Sequence, residues 1–362
     1  MGRFTRRKFL VGGSCSLLGA VGGQGFLTTQ CQAAEGEISG GVRLGEANTY
    51  RVRHRVVVDM GTLPFTLLEI WLPLPLVDAE ICPEQSVDSL KIEPKSRISF
   101  DTHKLARVAN RAFGTRDAGQ PRRTYSLEAS YEVTVRSQLF DLELHTRYGG
   151  SEAGGENQYK RDARYRLYTR SENKSPTSHA SIKSLVRQIK PADNSPLQIA
   201  RAYYDWIIDN VKYEKMNSFG GAVTCLKDRC GECGDFSALF VALCRASGIP
   251  ARPVVGYWAD KSNDWHCWAQ FMLPNGRWLP VDCQIGSNGV YARRMNFGRT
   301  DNRRVALCKT FDVCLTRTAG KNRVADYLQN GRWWWEAKGL PPKFPQPTGI
   351  FEISGQAVST GR

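Results

Sequence analysis

Histidine is scarce in this chain. Five occur among 362 residues, at positions 54, 103, 145, 179 and 266, so any chemistry that needs an imidazole must use one of them. Uninterrupted apolar runs are missing as well. The moderately apolar stretch 9–27 is broken by Gly12, Gly13, Gly19, Gly22, Gly23 and Gly25, which makes it a poor membrane span. Acidic residues are outnumbered, 35 against 50 basic, giving a formal charge of +15. No basic helix with base-reading side chains accompanies that charge, so nucleic acid is not the expected partner. There is no internal repeat, no cofactor-binding motif and no paired Cys/His spacing of the usual zinc-site kind.

What is present begins with a leader. Arg6 and Arg7 precede Phe9 and Leu10, and small residues follow in CQAAEGE, with cleavage expected after Ala33 or Ala34. Residues 1–33 therefore resemble a twin-arginine signal peptide, and the expected location is periplasmic or otherwise extracytoplasmic. Cleavage after Ala33 leaves 46 basic against 35 acidic residues, a charge of +11, suited to contact with anionic envelope surfaces. Of eleven cysteines, Cys15 and Cys31 leave with the signal and nine remain. An oxidising compartment permits disulfides, and an odd count leaves one thiol free or paired with another molecule.

The region 40–150 reads as an antiparallel β-sandwich. YRVRHRVVV sets Tyr50, Val52, His54, Val56 and Val58 against Arg51, Arg53 and Arg55, and TYSLEASYEVTVRS alternates in the same way. GGSEAGGENQ (149–158) and SENKSPTS (171–178) punctuate the chain. A core domain is expected over 175–300, followed by an extension, 301–362, packing on it. Its first clear helix opens at Ser195-Pro196, a cap followed by proline, with Ile199, Tyr203, Trp206 and Ile207 on one face.

DRCGECGDFSALFVALCRASGIPAR carries the chemistry. Phe236, Leu239, Phe240, Leu243 and Cys244 follow an amphipathic helical spacing, Gly248 and Pro250 end it, and the helix is expected from about 232 to 247. Cys233 falls in the first turn, where unsatisfied N–H groups and the helix dipole favour a thiolate. Cys244 reads as core. A nucleophilic thiol needs a base and the base an acid. His266, beside Trp265 and Trp268, opens a strand just downstream, and Asp282 lies on the partner strand. A two-residue loop, Asn275-Gly276, would put His266 and Asp282 on opposite faces. A three-residue loop, Pro274-Asn275-Gly276, makes them diagonal neighbours on one face. The same register sets Cys267 opposite Cys283, where a cross-strand disulfide is expected.

GECGDFSALFVALCRASGIPARPVVGYW, continued by HCWAQFMLPNGRWLPVDC, resembles the transglutaminase-like superfamily. That family's pattern is Gly-x-Cys, Arg-x-x-Gly-Ile-Pro-Ala-Arg, His-Ala-Trp and Pro-Val-Asp-Pro. The likeness is strongest over 195–285. IWLPLP and ANRAFG look like the β-domain that precedes the core in bacterial members, and FGRTDNRRVAL looks like the usual tail. The resemblance implies an α+β fold: a papain-like transglutaminase core, its cysteine-bearing helix packed on an antiparallel sheet, after a β-sandwich. It implies Cys233 as nucleophile, His266 as general base and Asp282 as the acid that orients the imidazole, with neither cofactor nor metal. The implied activity is that of an exported cysteine protease or amidase working through an acyl-enzyme on a protein or peptide amide, with the cell envelope as a setting. The alternatives are a protein-glutamine transamidase and a non-catalytic exported scaffold or binding protein. Cys267 replaces the family's alanine and Cys283 its proline, a coupled change that favours the disulfide.

Other readings compete locally. Cys230 and Cys233 form a C-x-x-C that could be a redox pair or a guard on the nucleophile, and Cys225–Cys230 could be a staple. Cys225, Cys230, Cys233 and His266 could together ligate zinc. One oxyanion donor is expected from the Cys233 backbone N–H. Tyr213 and Trp206 are candidates by position for the second.

Overall fold

Period-two alternation in the first third of the chain becomes two antiparallel sheets. The computed structural model describes residues 38–39, 42–114, 124–140, 164–189, 191, 195–216, 218–337 and 347–358. Residues 1–33, where the signal peptide is expected, the 149–158 stretch and His145 lie outside the described residues. The first sheet centres on the long strand Val42–Asp59, which pairs with Thr124–Phe140 from Val42↔Phe140 to Asp59↔Thr124. Gln85–Glu93 and Arg299–Thr300 add to Thr124–Phe140. The second sheet runs Arg332–Glu336, Leu67–Leu74, Arg107–Gly114, Arg97–Phe100. The inward residues are the alternating ones: Val52, Val56, Val58, Leu127, Tyr131 and Val133 are buried against Leu68, Ile70 and Leu72. Each such aliphatic side chain contributes roughly 1.5–3 kcal/mol by leaving water.

Two late strands were not anticipated as sandwich members. Arg332–Glu336, with its three tryptophans, pairs with Leu67–Leu74, and Thr348–Ala357 pairs along Val42–Asp59 over ten positions. The sequence reading has 301–362 packing on the core. These two strands instead complete the N-terminal sheets, a pairing that no local pattern announces.

The helices are α1 (Tyr165–Thr169), α2 (Ala180–Ile189), α3 (Pro196–Asn210), α4 (Ala222–Asp228), α5 (Cys233–Ala246), α6 (Cys283–Gly286) and α7 (Val290–Met295). Among the described residues none is long and apolar enough to cross a membrane. Ser195 caps α3 by accepting the Gln198 N–H at 3.3 Å. α5 is surrounded: α2, α3 and α4 lie against it, and it packs on a third antiparallel sheet ordered Trp278–Val281, Trp265–Met272, Ala251–Trp258, Arg304–Cys308. Every residue from Gly234 to Arg245 is buried, so the helix is enclosed all round rather than half-wet as the amphipathic reading implies. Arg245 is tolerated inside because it pairs with buried Glu172 at 2.7 Å.

Polar side chains lock the sandwich to this sheet. Gln85 imitates a strand partner, donating to the carbonyls of Leu76 and Ala306 and accepting the Ala306 N–H. Lys309, fully buried, reaches Glu84 and the Ile81 carbonyl, each at 2.8 Å. Arg252 donates to the same carbonyl at 3.0 Å while its guanidinium lies 4.0 Å from the Trp278 ring centroid. The fold is thus mixed α and β, richer in strand than helix, with the enclosed helix α5 and its antiparallel sheet beside the sandwich.

Candidate active site

The start of α5 is held by a reciprocal cap. The Asp235 carboxylate accepts the N–H groups of Glu232 at 3.0 Å, Gly220 at 3.0 Å and Gly221 at 2.7 Å, while Glu232 accepts from the Asp235 N–H. Gly231 permits this: a Cβ there would stand 2.6 Å from that of Asp235. The cap fixes Cys233 as the first helical residue. The short strand Lys212–Tyr213 runs parallel to Cys230–Gly231 and brings Tyr213 to the same place.

Cys233 is partly exposed on the wall of a cavity of about 460 Å³, with Tyr213, Glu232, Asp264, Trp265 and Tyr327 among the other lining residues. Burial pushes the thiol up to about 12, and the Asp282 and Glu232 carboxylates act the same way. The N–H groups of Cys267 and Gly234 face the sulfur and oppose the rise without cancelling it. Desolvation thus outweighs the favourable helix start, which agrees with the expectation that this thiol needs a base. A thiolate here requires a proton acceptor.

The structure brings His266 and Asp282 together. Asp282 Oδ2 lies 2.6 Å from His266 Nε2, and both side chains are buried. Burial alone would raise the Asp282 carboxyl, but His266 and Arg304 opposite it hold it below its ordinary value, so the carboxylate is ionised and Nε2 is the donor. Nδ1 is then the nitrogen left to accept a proton. The imidazole is stacked between two indoles, Trp258 at 4.9 Å and Trp268 at 6.0 Å. Gly256, opposite His266, is needed for strand contact: a Cβ would stand 1.9 Å from the Val305 carbonyl oxygen. Gln329 pins the strand from outside, donating to the carbonyls of Gly256 and His266 at 2.9 Å each.

The hairpin has the three-residue loop. Leu273 donates to Arg277, Gly276 donates to Leu273 with φ of +84°, and Ala269 faces Val281. The predicted Cys267–Cys283 disulfide does not follow, and that expectation is corrected: both are buried free thiols. Pairing stops at Val281 because Asp282 turns to cap α6, accepting the Ile285 N–H at 3.0 Å. Cys267 then neighbours Cys233, Ser237 and Cys308, whereas Cys283 neighbours Cys244 and Cys225.

The remaining candidates separate. Cys230 sits by Glu214 and Cys225 is buried in the core, both free thiols. Among the described residues no three His, Cys, Asp or Glu side chains are grouped as metal ligands. Trp206 lies under Arg229, ring centroid to guanidinium 4.6 Å, and does not line the Cys233 cavity, whereas Tyr213 does. His54 is buried in the sandwich; His103 and His179 are exposed. Arg304, Gln329 and Trp258 were missed. Each reaches the His266–Asp282 pair from a distant segment or an adjacent strand; Trp258 and Arg304 fall inside the quoted PVVGYW and FGRTDNRRVAL stretches, which carry no sign of that role.

A family model described as the transglutaminase-like superfamily matches residues 183–283. A protein of Haemophilus influenzae described as uncharacterized is 29% identical over 28% of this chain and 35% of its own length, so the chain spans about a third of that curated relative. A crystal structure described as "a Putative Cysteine Protease from Cytophaga hutchinsonii" superposes with a TM-score of 0.55 at 17% identity, covering 87% of this chain and 100% of that one. At that identity the likeness is one of fold.

Proposed function

Residues 183–283 form a transglutaminase-like superfamily domain of the cysteine-enzyme kind, and from that premise we propose that the protein is an exported cysteine hydrolase that cleaves amide bonds through Cys233, His266 and Asp282. The observation that carries this reading is the 2.6 Å contact of His266 Nε2 with Asp282, which leaves Nδ1 as proton acceptor for the neutral Cys233 thiol.

In the proposed cycle, His266 Nδ1 takes the thiol proton as sulfur attacks the amide carbonyl carbon. The developing oxyanion is received by the Cys233 backbone N–H, which has no intrahelical acceptor at this position, with Tyr213 the second donor. The imidazolium returns the proton to the leaving amine, the C–N bond breaks, and a thioester remains. Water, deprotonated by His266, attacks the thioester and releases a carboxylic acid and the thiol. Asp282 stays ionised throughout and stabilises the imidazolium. An amine in place of water would give transamidation. The substrate is a protein or peptide amide, met in the cell envelope after twin-arginine export.

The test uses the protein with mild reductant, casein and a tagged primary amine, read by intact and peptide mass spectrometry for wild type and Cys233→Ala. New termini dependent on Cys233 support hydrolysis. Amine incorporation at glutamine moves the reading to transamidation. Neither product, together with uniformly slow alkylation of the thiols in reduced protein, overturns the enzyme in favour of a scaffold.

A further inference from the structure

The Cys233 cavity is the smaller of two near the His266–Asp282 pair. A second, of about 680 Å³, opens on the other side, between α7, the strand Arg299–Thr300 and the end of Thr124–Phe140. Its walls carry Lys261, Arg299, Arg303 and Arg304 against one carboxylate, Asp301. Lys261 is paired with Asp264 at 2.9 Å, whereas Arg303, itself partly exposed, makes only longer contacts, to Asp260 at 3.3 Å and Asp301 at 3.4 Å. Arg299 has no carboxylate partner among the described residues; its Nη1 makes only a 3.5 Å contact to Met295 Sδ.

Arg304 is the second, independent sign. It is 4% exposed, yet its Nε and Nη1 have no hydrogen-bond acceptor among the described residues. Nη1 stands 3.1 Å from Asp282 Oδ2 without the alignment of a hydrogen bond, and Nη2 donates to Asn296 Oδ1 at 3.1 Å and lies 3.5 Å from Asp301 Oδ2. Buried guanidinium donors without acceptors are costly, and an oxyanion is the complement that suits their fork. The volume exceeds what one small ion fills, and Trp258, Ile285 and Met295 supply apolar wall.

We propose that this cavity is a binding site for a small molecule bearing a carboxylate or phosphate group, held by Arg299, Arg303 and Arg304. The ligand and the site acid Asp282 then share Arg304. Trp258, which lines the cavity and stacks on His266, is a second shared wall.

The experiment titrates the full chain at low salt with citrate and, separately, pyrophosphate by calorimetry. Expected is saturable one-to-one binding of at least one probe, weakened about tenfold or more in Arg299→Ala and in Arg303→Gln, each checked for an unchanged melting temperature. Preference for citrate assigns a carboxylate ligand and preference for pyrophosphate a phosphate. Arg51→Ala, on the sandwich, and Cys233→Ala should bind as wild type does, so the result stands or falls apart from the cysteine chemistry. No saturable binding of either probe overturns the site, as does equal weakening in Arg51→Ala, which would mean diffuse charge.

Discussion

Asp282 Oδ2 is shared between two buried partners, His266 Nε2 at 2.6 Å and Arg304 Nη1 at 3.1 Å. Its other oxygen caps α6 through the Ile285 N–H. One carboxylate therefore orients the imidazole, anchors an arginine from a distant strand and ends the hairpin strand. Arg304→Gln should destabilise the protein by about 3–5 kcal/mol at neutral pH, since it leaves a buried carboxylate short of a charge partner. The sign with pH follows from a folded-state carboxyl held below its ordinary value. That stability is present above the unfolded carboxylate range and is lost as pH falls through the lower folded value. In the variant the folded value is higher, so this contribution is smaller and its loss is complete at a higher pH. Urea unfolding at a series of acid pH values reads both effects, and identical acid limbs would count against the arginine's role.

Alkylation of Cys233 separates the thiol's intrinsic basicity from help by the imidazole. Burial sets the unaided thiol at about 12. In His266→Ala the rate should climb about tenfold per pH unit through neutrality, as a thiol titrating far above it must. Wild type should react at least about tenfold faster near pH 7. Coincident profiles would show that His266 takes no proton from Cys233.

Asp282→Asn keeps the shape of the acid and removes its charge. The imidazole loses its fixed tautomer, and turnover of a Cys233-dependent substrate should fall by about 10²–10⁴-fold with little change in KM. A matching rise in KM instead would point to substrate contact.

His54 gives an acid-sensitivity independent of the site. Burial in the sandwich lowers it from 6.5 to about 3. Its contribution is complete above pH 6.5 and is lost progressively as pH falls toward 3, because the unfolded chain takes up the proton first. The slope is at most about 1.4 kcal/mol per pH unit. In His54→Leu that slope should vanish between pH 6 and 4, and parallel stability curves for the two proteins would refute the assignment.

Gly256→Ala should cost about 1–3 kcal/mol or more, because the added methyl meets the backbone oxygen of Val305 rather than a movable side chain. The shift would be felt next door at Arg304. Thermal melts together with the Cys233 alkylation rate would register both, and an unchanged melt would contradict the close approach.

What could be read from the chain without coordinates was what short-range chemistry decides. The turn at Pro274-Asn275-Gly276 marked the hairpin and left two registers, of which the His266–Asp282 pairing required the three-residue loop that the structure has. Gly248 ended α5 because it takes a positive φ. Alternation marked the sandwich faces. What could not be read depends on distant partners. Arg304 and Gln329 reach His266–Asp282 through tertiary packing that leaves no periodic trace. The Cys267–Cys283 pairing failed because a capping aspartate ended the strand one residue before it, a contest between ladder and cap that spacing alone does not weigh. The enclosure of α5 on all sides, against its amphipathic spacing, is likewise invisible in a helical wheel.

The pairing of Thr348–Ala357 with Val42–Asp59 fixes an order of events during synthesis. The strand Val42–Asp59 is made before both of its long partners, and it can gain Thr124–Phe140 well before Thr348–Ala357 has been synthesised. Until then it presents unpaired backbone groups along its length, and the closing contact carries a large loop entropy. A chain cut short before Thr348 would keep an open, sticky edge on the layer that supports the cysteine site.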